Sequence, residues 1–156
     1  MKLLKIAVLF VSLLVGIRQL SAQEAIAGES AKEVIANQIK DSVQKINKLD
    51  VEGGLRHIHP TAYNEYTHVP QKPLVSIDRE SLVGFCKSVF PSLGIKAGPP
   101  QNLRIVIKGK MAYATYQNKV QLGDSPPMMV RRTEIYLLDE GGWLLTHSHR
   151  SILQEG

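Results

Sequence analysis

At 156 residues the chain is long enough for one domain, and an apolar share of 44% is ordinary for a globular protein. Its formal charge of +5 overstates its basicity: Lys2, Lys5 and Arg18 lie in a leading segment without acids, and the remainder holds 16 basic against 14 acidic side chains. A nucleic-acid partner is therefore not expected, since the only adjacent basic pair, Arg131-Arg132, would point to opposite sides of a strand.

Residues 1–22 read as a secretory signal peptide. Lys2 and Lys5 precede a twelve-residue apolar run from Ile6 to Ile17, and Ser21-Ala22 offers small residues for cleavage before Gln23. The run is too short to cross a bilayer core, which takes roughly 18 residues or more. The mature chain is thus expected to be secreted or periplasmic, with no membrane contact once the signal is removed. Cys86 is the sole cysteine, so no intramolecular disulfide can form, and about 134 residues must be held together by burying a core.

Gln23–Glu29 is a polar leader, and the domain proper is expected over 30–153. Ser30-x-x-Glu33 has the form of a capping box, in which each side chain satisfies a backbone N–H left free in the first helical turn. Ile35, Ile39, Val43 and Ile46 then place one apolar stripe on a helix ending near Lys48. Asp50–Ile58 predicts a second, shorter helix weakened by Gly53-Gly54 and stopped by Pro60. Thr61–His68 predicts a strand, followed by a proline-bearing loop at Val69–Pro73.

Leu82, Phe85, Cys86 and Val89 fall on one face of a helix from about Asp78 to Phe90, capped by Asp78 or Ser76. Cys86 lies within that stripe and is read as a small buried hydrophobe. Pro91–Gln101 predicts loop. Leu103–Lys108, Met111–Leu122, Val130–Leu138 and Trp143–Ile152 predict four strands joined by hairpins at Gly109 and Asp139–Gly142 and by a wider loop at Gly123–Pro127. The order gives an α+β fold: a curved antiparallel sheet packed against three helices on one face.

This pattern over Ser30–Ser151 resembles the SnoaL-like group of the nuclear-transport-factor-two-like superfamily, a cone of three helices against a strongly curved sheet. The last strand, Gly142-Trp143 followed by His147-x-His149-Arg150-Ser151, is most similar to the association domain of calcium/calmodulin-dependent protein kinase type II and its bacterial stand-alone relatives. Leu49-Asp50-Val51-Glu52 and Arg132-Thr133-Glu134 fit the same outline. The resemblance implies a cavity between sheet and helices. In the kinase domain that cavity holds arginines from three successive strands, and the matching positions here are Asn118, Glu134 and Arg150. The match implies an Arg150–Glu134 pair, suited to a polar or zwitterionic ligand or to a structural role.

Strand alternation places Leu144, Thr146, Ser148 and Arg150 on one face of the last strand and Trp143, Leu145, His147, His149 and Ser151 on the other. Trp143 and its flanking leucines then mark an exposed face for oligomerisation. Tyr63, Glu65, Tyr66, Tyr116 and Glu134 supply the residue types of acid–base catalysis, with Tyr63 and Tyr116 also placed among the ligand-binding residues. His57-x-His59 and His147-x-His149 are set aside as metal ligands because no carboxylate or cysteine shares their spacing. No metal or cofactor is expected. The sequence predicts an exported domain binding a small polar organic molecule, homodimeric and without a defined reaction. The alternative is a small acid–base lyase, isomerase or hydrolase using the same cavity.

Overall fold

A computed structural model describes residues 28–68 and 75–153. The signal segment, most of the leader and the Val69–Pro73 loop lie outside these residues. Helix α1 covers residues 28–47 and so begins before the capping box, with Gly28 and Glu29 helical rather than part of a leader. An ion pair between Glu29 and Lys32, 2.9 Å long and one turn apart, suits that extra turn. The expected stripe is the buried one: Ile35 is wholly inaccessible and Ile39 nearly so.

Helix α2 is four residues long, Val51–Gly54, capped by the Asp50 carboxylate on the Gly53 N–H at 2.9 Å. It stops short of Ile58 because the sheet needs the following backbone. Leu145 N–H donates to His57 O at 2.8 Å, and His59 N–H donates to Leu145 O at 2.9 Å. Gly54 is required where α2 closes on α1: a Cβ there would lie 2.7 Å from the Ile46 side chain.

Strand β1, Asn64–His68, starts later than expected since His59 Nδ1 accepts the N–H groups of Thr61 and Ala62 and turns the chain. Strand β2, Val75–Asp78, was not expected and pairs antiparallel with β1. Asp78 caps helix α3, Arg79–Leu93, accepting from Ser81 N–H at 2.8 Å. That helix runs through Pro91 to a left-handed Gly94 at φ 76°, with the Ser92 hydroxyl bonded back to Val89 O at 2.9 Å. Strand β3, Ile95–Ala97, occupies part of the predicted loop. The last four strands are β4 Gln101–Lys108, β5 Met111–Leu122, β6 Met128–Asp139 and β7 Gly142–Leu153.

The seven strands form one open sheet in the order β2-β1-β7-β6-β5-β3, and β4 lies beside β5 on the same edge as β3. All pairs are antiparallel except β1 with β7, which is parallel, so the sheet is mixed and not purely antiparallel. This single exception brings the first strand beside the last and decides the chemistry of the cavity.

A β-bulge corrects the predicted faces of β7. Ile135 pairs with His147 but the next residue, Tyr136, pairs with Leu145, leaving Thr146 as the extra residue with its hydroxyl on Ile135 O at 3.2 Å. Trp143 and Leu145 therefore face inward with Ser148 and Arg150, while His147 and His149 face outward. Trp143 is 7% exposed and packs in a core cluster with Ile35, Ile39, Ala112, Ala114 and Tyr136. It is a core residue, not an oligomerisation surface. A second cluster joins Val51, Leu55 and Ile58 to Leu82, Cys86 and Phe90, and Leu145 packs against both clusters.

Candidate functional site

Between the helices and the concave face of the sheet is a cavity of about 410 Å³. Its two walls differ in kind. The helix wall is mostly apolar, with Ile39, Val43 and Ile46 from α1 and Phe85, Cys86 and Phe90 from α3, beside Gln38 and Ser42. The sheet wall carries the charged groups, Glu65 from β1, Arg150 from β7 and Arg132 and Glu134 from β6, with Thr67 and Asn118, set among apolar residues such as Val120, Val130 and Ile152. Volume and composition suit a small organic ligand with an apolar body and few polar groups.

All five residues that the sequence placed at a ligand site, Tyr63, Tyr116, Asn118, Glu134 and Arg150, line this cavity. The pairing differs from expectation. Arg150 Nη2 meets Glu65 Oε2 at 2.7 Å, and Glu134 makes no ion pair with Arg150. Parallel pairing explains the change: Glu65 stands opposite Ser148 and Thr67 opposite Arg150, so β1 supplies the carboxylate beside the guanidinium. Tyr66, the neighbouring residue on β1, faces the outer side, its ring centroid 5.7 Å from that of His147.

Glu65 is 1% exposed and its oxygens are well supplied: Tyr63 Oη donates at 2.7 Å and Thr67 Oγ1 at 3.0 Å, in addition to the ion pair. Glu134 is held otherwise. Tyr116 Oη donates to one oxygen at 2.8 Å and Tyr136 Oη to the other at 2.6 Å, with no cation in ion-pair contact among the described residues. Burial, reinforced by the nearby carboxylates, pushes the phenol pKa values of Tyr63, Tyr116 and Tyr136 well above the usual tyrosine range. All three remain O–H donors at any physiological pH.

Burial opposes the Arg150 charge, but attraction to nearby acidic groups, Glu65 foremost, outweighs it, and the guanidinium pKa is raised. Its Nε is buried without a hydrogen-bond acceptor among the described residues, as is the Ser148 hydroxyl, which lies between Glu65 and Glu134 in the strand register. Burial lifts the Cys86 thiol to about 11, so at neutral pH it is a protonated, unreactive part of the apolar wall. His57, which lines the cavity, is held below its usual pKa by burial and by Arg56, whose Nε donates to it at 3.0 Å. Among the described residues no three His, Cys, Asp or Glu side chains are grouped to hold a metal ion.

Three residues of the cluster were missing from the sequence-derived ligand set: Glu65, Arg132 and Tyr136. Alternation could have found the last two, since Arg132, Glu134 and Tyr136 share one face of β6. Glu65 as partner of Arg150 needed the long-range β1–β7 pairing, for which the local sequence carries no signal.

Solved structures give the geometry its relatives. A proposed dehydratase of the NTF2-like family from Streptomyces avermitilis superposes with a TM-score of 0.65 at 14% identity, covering 82% of this chain and 99% of that one. An NTF2-like protein of unknown function from Pseudomonas putida gives 0.68 at 17% identity, covering 81% and 89%. An NTF2-like protein with a cystatin-like fold from Novosphingobium aromaticivorans gives 0.68 at 12%, covering 88% and 90%. The chain has the NTF2-like, cystatin-like fold. No family model matches the sequence, and no curated protein matches it. At these identities the likeness speaks for the fold alone.

The ion pair makes a stability prediction. Glu65→Ala leaves Arg150 facing the cavity without its counter-charge and should destabilise the domain by about 2–4 kcal/mol, somewhat under the cost for a wholly buried pair because the Arg150 side chain keeps 26% exposure. Replacing both, as Glu65→Leu with Arg150→Met, should recover most of that loss. Urea unfolding of the wild type and the two variants measures it, and a Glu65→Ala protein within about 0.5 kcal/mol of the wild type, the range of ordinary surface changes, contradicts the assignment.

Proposed function

We propose that this NTF2-like domain binds a small organic molecule in its cavity, with the apolar body of the ligand on the helix wall and its polar groups on the sheet wall. The observation that carries this reading is a 410 Å³ cavity in which a cluster of charged groups on the sheet faces a mostly apolar lining. A void lined throughout by apolar groups would fit a packing defect; charged groups held in fixed geometry against it do not.

A second reading is an acid–base lyase, isomerase or hydrolase in the same cavity. Glu134 favours it: this carboxylate lies on the cavity wall with no cation in ion-pair contact among the described residues, where it can face a substrate, while Tyr116 and Tyr136 keep donors beside any charge that develops. The Streptomyces protein of similar fold, a proposed dehydratase, points the same way.

Native mass spectrometry of the purified protein should show a copurifying small molecule, and Arg150→Ala should lower its occupancy; unchanged occupancy would remove Arg150 from the site. Glu134→Gln separates the two readings. It keeps the shape and one of the two acceptors, so a binding domain retains its ligand, whereas conversion of that ligand through Glu134 falls by a factor of about 100 or more.

The protein is further proposed to be a homodimer joined through the outer sheet face. Met111, Tyr113 and Leu137 lie there, 45%, 38% and 41% exposed, with Met111 opposite Leu137 and Leu137 opposite Leu144. Light scattering after size exclusion should give a dimer for the wild type and a monomer for Leu137→Glu; a monomeric wild type at tens of micromolar removes the proposal. Export is proposed from the leading basic and apolar segment, and the mature N-terminus is expected at Gln23. Finding the chain intact in the cell interior would contradict it.

A further inference from the structure

Arg132 and Arg150 stand directly opposite each other across β6 and β7, and both line the cavity. Like charges opposed on neighbouring strands destabilise a sheet unless something neutralises them. Glu65 neutralises Arg150. Among the described residues no carboxylate is in ion-pair contact with Arg132, whose hydrogen bond to protein is a long one, Nε to Asn118 Oδ1 at 3.4 Å. Glu134, two residues away on the same face, has each oxygen engaged by a tyrosine hydroxyl. The buried Arg150 Nε on this part of the wall likewise has no hydrogen-bond acceptor among the described residues.

We propose that the Arg132–Arg150 pair, steadied by Asn118, is the seat of a ligand carboxylate, and that the ligand is a monocarboxylic acid with an apolar body. The inference rests on the small-molecule reading above and names the ligand class. An anion at this point supplies the missing counter-charge and accepts from the guanidinium of Arg132, which presents a planar fork of donors matched to a carboxylate. A cation would meet the like-charged pair. The body of the acid then lies across Ile39, Val43 and Phe90, with Val75 and Phe85, 53% and 54% exposed yet lining the same cavity, forming apolar lips at its opening. Such exposure of apolar side chains is accounted for when an apolar ligand must pass them.

Three probes of one shape test the seat: octanoate, 1-octanol and octylamine, titrated by calorimetry into the purified, delipidated protein. Wild type should bind octanoate about tenfold or more tightly than 1-octanol, and octylamine most weakly. Arg132→Gln should weaken octanoate at least about tenfold while leaving 1-octanol within about a factor of two, since a charge-assisted hydrogen bond is lost from one probe only. Asn118→Asp should act in the same direction by placing a protein carboxylate beside Arg132, and carries the test if Arg132→Gln proves unfolded by circular dichroism. Equal binding of octanoate and 1-octanol, or octanoate indifferent to both substitutions, overturns the carboxylate seat but leaves the cavity a small-molecule site. Preference for octylamine overturns it in favour of Glu134 as the anchoring charge. Binding of none of the three overturns this proposal and the small-molecule reading together.

Discussion

Arg150 and Glu65 meet at 2.7 Å across the parallel pair of β7 and β1, and the arrangement of the concave face depends on that contact. The carboxylate comes from the first strand and the guanidinium from the last, so the contact forms only when the chain, after α2, returns alongside β7. The backbone prepares this return before β1 begins, as residues 57 to 59 bond around Leu145. A slip of β1 by one residue would turn Glu65 outward and Tyr66 inward, leaving the buried end of Arg150 without a counter-charge. Attraction within such a pair is largely offset by the desolvation of both groups, so its net contribution to stability is small while the cost of mispairing is several kcal/mol. The pair thus acts on register more than on overall stability.

That dependence explains what the sequence disclosed and what it withheld. The apolar stripe Ile35-Ile39-Val43-Ile46, the Asp78 cap and the long strand Met111–Leu122 are local patterns set by helix or strand period, and each stands where its residues indicate. The short strands β2 and β3, of four and three residues, carry too few side chains to show a period, and they lie at the two ends of the sheet path. The faces of β7 were misread for another reason. Alternation assumes an unbroken ladder, and the extra residue at Thr146 reverses it, moving Trp143 from the outer face into the core. The site was legible to the same degree. Asn118, Glu134 and Arg150 all face the cavity, but the partner of Arg150 depended on a parallel pairing between segments some eighty residues apart, which no local pattern encodes.

The two buried glutamates are held in different ways, and this difference organises the wall. Glu65 is committed, with a cation, a phenol and a threonine hydroxyl around it. Glu134 accepts from two neutral donors and, among the described residues, has no cation in ion-pair contact. Glu65 ties the first strand to the last, while Glu134 lies on the cavity wall held by two phenols.

The cavity itself sets a further condition. Were 410 Å³ closed and dry, the lost contacts would cost on the order of 10 kcal/mol, comparable with the whole stability of a domain this size. Such a space is tolerable only if it is filled. The charged wall lets water fill it, since guanidiniums and carboxylates offer hydrogen bonds to solvent. The apolar wall does not compensate that water, and an organic body displacing it from Ile39, Val43 and Phe90 gains the apolar burial that water forgoes. A cavity that sets charged groups against a mostly apolar lining can therefore hold water without a ligand and would gain apolar burial if an organic body entered; the charged groups come from the sheet, the apolar ones from helices and sheet alike.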